Sequence, residues 1–369
     1  MLEFDQIIDL WSHKDKKNSQ LVDFFLSDKS KGQRYLLGRT EEAIALSQII
    51  DIDMFIDDFI ENDSFFMNKP VIKSTQLTNY DNALIVNCVL NAKPRVAVNK
   101  FTKYSDISIL KYSDFYRAYP EIFPIPNFVK ETREDIKKNH LKWQKIEGIL
   151  SDDVSKKVLN DIIQYRLTGD YDYMKSYNFC PHEQYFEDFL RLPINTVFVD
   201  AGGYDGDTTK EFCNRYPRYK KVFLFEPSLQ NIDKARKQLG SLQSIEFIEK
   251  GLSDSIGKLF FDSDKGSACF ISENGKQQIN VTTLDIEVTD QVDLIKMDLE
   301  GWELKALAGS KRHIAEEYPA LAISVYHHPS DFWRIYEYIS SIRKDYNIYL
   351  RHYTESWTES IMYFVPKSS

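Results

Sequence analysis

Cysteine is scarce. The 369 residues hold four, Cys88, Cys180, Cys213 and Cys269, far apart and with no CxxC pair. That excludes a disulfide framework or a cysteine metal knot and fits reduced thiols in a cytoplasmic protein. Long apolar runs are missing, so no segment is expected to span a bilayer. The opening MLEFDQIIDLW has neither the basic start nor the apolar centre of a signal peptide. Positive charge is in deficit, 47 Lys and Arg against 56 Asp and Glu, for a formal net charge of −9. This balance disfavours a nucleic-acid backbone as the main partner. No internal repeat or low-complexity tract is present. The length suggests two domains, each with ample core.

The second half of the chain alternates strand and helix. TVFVDAG, KVFLFEP, SIEFIEKGLS, DLIKMDL and ALAISVYHH read as strands. Helical patterns fall between them, SLQNIDKARKQL, EGWELKALAGSKRHIAEE and DFWRIYEYISSI among them. KLFFD, SACFI and QQINVTTLDI read as short antiparallel strands inserted before DLIKMDL, and NIYLRHY with ESIMYFV as an antiparallel edge hairpin. The expected fold class is therefore α/β, a doubly wound, mostly parallel sheet at residues 184–369. Residues 1–120 read as a smaller α/β unit, with strands RYLLGR, DMFIDDF and NALIVNCVL and a helix TEEAIALSQI. Residues 121–183 read as a helical connector, the Pro-rich YPEIFPIPNF marking its start.

Neither half carries the GxGxxG of a dinucleotide site. In LLGRTEEAI only Gly38 is present, and Glu41 and Glu42 would repel a pyrophosphate. The first domain is therefore expected to position an acceptor or to mediate homo-oligomer formation.

What is present is a loop. In TVFVDAGGYDGDTTKEF a buried strand, Val197 to Val199, runs into Asp200, then Gly202, Gly203 and Gly206, and then a helix opened by Asp207 and Thr208. Glycines let backbone approach a ligand closely, and open α/β sheets bind ligands at strand carboxyl ends. The other strand ends bring Glu226-Pro227, Ser253-Asp254, Asp298-Leu299-Glu300-Gly301 and Tyr326-His327-His328 to the same rim. Glu226, roughly 25 residues past the glycines, is placed to take both hydroxyls of a ribose. A GGxxG loop flanked by Asp200 and Asp205 suits an amino acid and a ribose better than two phosphates. S-adenosylmethionine has those parts and no phosphate.

The motifs VDAGGYDGDT, FEP, GLSD, TTLD and above all DLIKMDLEGWE make the chain, from about Gln184 onward, similar to the FkbM family of S-adenosylmethionine-dependent methyltransferases. SVYHHPSDFW and LRHYTESWTESIMY resemble a bacterial branch found in polysaccharide or nucleotide-sugar contexts. The N-terminal unit resembles Rossmann-like domains fused to such enzymes. The resemblance implies the class I methyltransferase fold. It implies that Asp200, Gly202 and Gly203 face the methionine part of the cofactor, that Glu226 holds the ribose, that Ser253 and Asp254 lie near the adenine, and that Asp298 lies near the amino group and the transfer point. Tyr204, Asp205 and Pro227 complete that shell. Tyr185, on a short helix expected over HEQYFEDF, would cover the cofactor.

Methyl transfer from a sulfonium is an in-line displacement that needs alignment, and a hydroxyl acceptor also gains from a base. His327 and His328 are the expected bases, with Asp298 and Lys296 as alternatives on the same strand end. Capping of the next helix by both histidines is the structural alternative, as is an ion-pair ladder for Lys296, Asp298 and Glu300. Asp298 beside a histidine is compatible with a divalent metal, but no HxxxH or HxD spacing supports one, so none is predicted. The expected reaction is O-methylation of a sugar or glycan hydroxyl. Two other classes compete with it, an inactive assembly module and, disfavoured by the missing GxGxxG, an NAD-linked oxidoreductase.

Overall fold

A computed structural model describes residues 10–11, 16–27, 34–61, 64–77, 83–91, 93–261 and 277–367. The chain divides into two compact units. The first comprises Met1–His140, Leu159–Phe179 and Thr354–Thr358, and the second Leu141–Val158, Cys180–Tyr353 and Glu359–Ser369. Residues 121–183 are thus shared between the units and do not stand as a body of their own. Among the described residues no helix is long and apolar enough to cross a membrane.

The first unit holds β1 (Arg34–Leu37), β2 (Met54–Ile56), β3 (Ser64–Phe66), β4 (Lys69–Ile72), β5 (Leu84–Asn87) and β6 (Ser108–Lys111), in the order β3-β4-β2-β1-β5-β6. All pairs are parallel except β3 with β4. Strands β1 and β5 are buried along their whole length, as inner strands of a mostly parallel sheet are, with Arg34 and Asn87 the buried polar ends of otherwise apolar runs. Gly38 makes the turn after β1 at φ 96°, and Thr40 caps the helix Glu41–Ile49 by accepting from the Ala43 N–H at 3.3 Å.

The second unit holds β7 (Val197–Ala201), β8 (Lys221–Phe225), β9 (Ile245–Ile248), β10 (Gly251–Leu252), β11 (Gly257–Phe261), β12 (Gln277–Thr282), β13 (Leu294–Met297), β14 (Ala320–Ser324), β15 (Tyr346–His352) and β16 (Ser360–Pro366). Its main sheet runs β15-β16-β14-β13-β7-β8-β9, with β16 antiparallel to both neighbours and the rest parallel. This is the class I methyltransferase order. Central β7 and β14 are fully buried, whereas edge strand β15 alternates buried with half-buried residues, as one covered face dictates. The helix Leu229–Leu239 sets Ala235 and Leu239 against Leu224 of β8.

Three local expectations change. SIEFIEKGLS is not one strand: β9 ends at Ile248, and Gly251–Leu252 joins a separate small sheet, β10-β12-β11. Ser253 and Asp254 therefore follow β10 and not the third strand of the main sheet. EGWELKALAGSKRHIAEE is not one helix either. Glu303–Ala308 is α-helical, Gly309 follows, and His313–Glu317 is a π-turn. A Cβ on Gly309 would lie 2.0 Å from the Ser253 carbonyl, so the break lets two backbones touch. HEQYFEDF yields only the 3₁₀ turn Pro181–Glu183, and Tyr185 is left-handed at φ 73°. The expected strand SACFI lies outside the described residues.

Candidate cofactor and active site

The strand order reverses between β7 and β13, the switch point where such sheets bind ligands. After β7 the chain turns through Gly202 (φ 78°), Gly203, Tyr204 (φ 45°) and Gly206 (φ 90°) into the helix Asp207–Arg215. The N–H groups of Gly202 and Gly203 both donate to the Phe225 carbonyl at 3.0 Å, tying the loop to the end of β8. A Cβ on Gly202 would meet the Asp298 carbonyl oxygen at 1.9 Å, so only glycine lets the β7 and β13 loops come together here.

Glu226, at the end of β8, accepts from the Tyr204 N–H at 3.1 Å and from the Ser228 N–H at 2.9 Å. Burial pushes its carboxyl above the usual range, and those backbone donors oppose the shift. It therefore braces the glycine loop from below. Tyr204 is exposed, and Asp205 and Pro227 are half-buried beside it. Ser253 is buried and receives the Trp302 indole N–H at 3.3 Å, while Asp254 pairs with Lys305 at 2.6 Å.

Two expected site residues are sealed away from the cleft. Asp200 is 0 % exposed, and its side chain accepts from Lys296 Nζ at 3.0 Å and from the Thr209 hydroxyl at 2.7 Å. It is thus buried under the loop and does not face a methionine group. Lys296, 3 % exposed, also donates to the Gly202 carbonyl at 2.7 Å. Burial alone would lower the Lys296 pKa, but the Asp200 and Asp298 carboxylates outweigh it and hold the ammonium above its ordinary value. A lysine held so is no base. The pair clamps the start of the glycine loop.

The other expected residues meet around Asp298. Its Oδ2 accepts from the Tyr185 hydroxyl at 2.8 Å, and the Tyr326 hydroxyl lies 3.3 Å from Oδ1. His327 Nε2 lies 3.5 Å from Asp298 Oδ1 and 3.4 Å from Glu300 Oε2, and its Nδ1 is 3.0 Å from Glu303 Oε1. Burial pulls the His327 pKa down, but Glu303, Glu300 and Asp298 together raise it well above the ordinary value. His328 is half-exposed, with Nδ1 3.3 Å from Asp331, whose carboxylate also accepts the His328 N–H at 2.8 Å. It stands just before the helix Asp331–Ile342 and against Gly301.

Two participants escaped the sequence reading, and a third, Tyr326, was placed on the rim without a role. Glu303, buried at the end of DLEGWE, accepts from the Leu299 N–H at 2.7 Å and the Gly301 N–H at 3.3 Å. It holds Glu300 (φ 52°) and Gly301 (φ 90°) in their left-handed turn. Its signal was its place inside the motif. Tyr326 adjoins the two histidines that drew attention. Glu359 had no local signal. It sits at φ 65° just before β16 and accepts from Gln184 Nε2 at 2.7 Å, the same nitrogen that reaches the Tyr185 hydroxyl at 3.0 Å. Burial, then the Asp298 charge, pushes its carboxyl up to about 7. His352 and Arg351 lie elsewhere, His352 Nδ1 3.0 Å from the Ser360 hydroxyl and Arg351 paired with Asp152 at 2.7 Å.

Residues 200–353, which carry all of this geometry except Tyr185, Gln184 and Glu359, match the methyltransferase FkbM domain. Over that stretch the chain is similar to the methyltransferase FkbM domain. A methyltransferase FkbM from Methylobacillus flagellatus KT has a crystal structure that superposes with a TM-score of 0.74 at 23 % identity, over 97 % of this chain and 95 % of that one. The likeness to that structure is one of fold and takes in residues of both units. The 2-O-methyltransferase NoeI of Sinorhizobium fredii (strain NBRC 101917 / NGR234) is 23 % identical over 145 residues, 32 % of this chain and 59 % of that protein. Methyltransferase sdnD of Sordaria araneosa is 25 % identical over 164 residues, 33 % of this chain and 63 % of that protein. The chain thus spans about three fifths of the length of these two curated relatives.

Proposed function

We propose that the protein transfers a methyl group from S-adenosylmethionine to a hydroxyl of a sugar or glycan acceptor. The observation that carries this reading is the switch-point loop. Gly202 and Gly203 turn at the end of β7 with Glu226 braced beneath them, and no phosphate-binding helix start of the GxGxxG kind is present. Gly202, Gly203, Tyr204 and Asp205 line the methionine side, Glu226 and Pro227 the ribose side, and Ser253 and Asp254 the adenine side. Tyr185, Gln184, Asp298, Tyr326 and His327 form the wall at the transfer point. Methyl transfer needs alignment first, and a wall of cross-bonded side chains supplies it. An oxygen acceptor draws support from one relative's description as a 2-O-methyltransferase.

The first unit is assigned acceptor recognition or self-association, and neither NAD nor ATP. Its first turn after Gly38 is closed by the Thr40 cap and carries Glu41 and Glu42. A cytoplasmic setting fits the free thiols Cys88, Cys180 and Cys213.

Titration calorimetry on the full chain with S-adenosylmethionine, S-adenosylhomocysteine, NAD and ATP tests the reading. Binding of the first two and silence from the others is expected. Silence from S-adenosylmethionine, or tighter binding of NAD, overturns it.

A further inference from the structure

The DLEGWE loop and the histidine after β14 bring together more ligating atoms than a cofactor wall requires. One donor atom from each of Asp298, Glu303 and His327 lies within 4.8 Å of the other two. Glu300 Oε2 stands 3.4 Å from His327 Nε2. The His327 side chain is only 8 % exposed and is aimed into these carboxylates, yet neither ring nitrogen makes a hydrogen bond. A buried polar group without a partner is costly, and a histidine ringed by acids would ordinarily satisfy at least one nitrogen.

The separations suit another arrangement. Donors bound to one cation at about 2.1 Å, at tetrahedral or octahedral angles, stand about 3.0–3.4 Å from one another and off each other's lone-pair axes. The separations of His327 Nε2 from Glu300 and Asp298, 3.4 and 3.5 Å and neither a hydrogen bond, are close to that form, while Glu303 stands 3.0 Å from the ring's other nitrogen and shares the site through the wider 4.8 Å grouping with Asp298 and His327.

We infer that Asp298, Glu303 and His327 form a divalent-cation site at the transfer point, with Glu300 closing its solvent side. One imidazole and two carboxylates suit a first-row ion such as Mn²⁺ and leave positions open for oxygen ligands. The binding stands on these residues alone, while the cation's role rests on the methyl-transfer reading. An acceptor hydroxyl takes an open position, where the cation's charge lowers its pKa. Its proton is lost to water. The oxygen then forms the new C–O bond as the methyl C–S bond breaks, and sulfur keeps the bonding electron pair as a neutral thioether. The cation therefore replaces His327 as the device that activates the acceptor.

The probe is Mn²⁺ added to chelator-treated full-length protein, with bound ion counted by electron paramagnetic resonance. One Mn²⁺ per chain is expected, with pulsed spectra showing one directly bound imidazole nitrogen in the unmodified protein. His327→Gln and Asp298→Asn should each weaken binding by at least about tenfold, with unchanged circular dichroism. Glu303 is left intact in this test because it also holds the loop. No Mn²⁺ bound at millimolar ion, no nitrogen coupling, or binding undiminished in both variants overturns the site. S-adenosylmethionine is titrated separately without metal. A protein that binds the cofactor but no Mn²⁺ refutes the cation site and leaves methyl transfer standing, and the converse result refutes methyl transfer alone.

Discussion

Replacing Lys296 by Met keeps most of the side-chain stem and deletes the charge at the centre of the main sheet. The ammonium now satisfies Asp200 at 3.0 Å and the Gly202 carbonyl at 2.7 Å, with Lys296 3 % and Asp200 0 % exposed. After the change Asp200 keeps only the Thr209 hydroxyl, and its charge has no counterpart in contact. Removing one member of a buried pair costs ~3–5 kcal/mol, most of it the desolvation of the charge left behind. That corresponds to a rise of about 10² to 4 × 10³-fold in the opening constant. Since the chain has two units, global melting would blend two transitions. Hydrogen exchange on peptides covering β7 and β13, followed through urea, reads this sheet by itself. The double variant Lys296→Met, Asp200→Asn removes the orphaned charge and should be more stable than the single one. A single variant within ~1 kcal/mol of the parent, or a double variant no better than the single, would refute the clamp.

Glu226→Ala frees the Tyr204 N–H and removes the proposed ribose acceptor, so S-adenosylmethionine should bind about 10- to 150-fold more weakly by calorimetry, as loss of a charged hydrogen bond implies. Gly202→Ala places a Cβ at φ 78° against the Asp298 carbonyl, and exchange protection of β7 and β13 should fall together with cofactor binding; normal binding would mean that the loops part without cost. For Glu359, whose folded pKa is raised to about 7, the neutral form is favoured on folding. Its stabilisation is full below the unfolded carboxyl value of about 4.3 and is lost as pH rises through about 7. Asp298, Glu300 and His327 share its field, so the test compares metal-free melts of the parent and Glu359→Gln from pH 5 to 8, and the parent alone should lose stability from this group. An identical pH slope in the two proteins would remove Glu359 from the cluster.

Strand ends were readable because a buried strand, a turn and a helix are local patterns. Val197 to Val199 had to be buried, Gly202 and Gly206 had to turn, and Asp207 and Thr208 had to open a helix. The errors share a cause. SIEFIEKGLS looks continuous until two sheets claim its halves, and EGWELKALAGSKRHIAEE looks helical until the Ser253 carbonyl needs the space at Gly309.

By itself the sequence determined that one rim would carry Gly202, Gly203, Glu226, Asp298 and His327. Parallel strands joined by helices necessarily point their carboxyl ends the same way. Which of those side chains meet a ligand was decided only in three dimensions. Register sets Lys296 of β13 beside Asp200 of β7, so a pair that reads as chemistry is consumed as structure. The hairpin returns Glu359 to Gln184, 175 residues earlier in the chain, and so to the neighbourhood of Asp298. The β14 exit drops His327 among Asp298, Glu300 and Glu303. Each outcome depends on the charge and space supplied by a strand far away in sequence, and burial makes that supply decisive, since a buried charge must be met by whatever the fold brings to it.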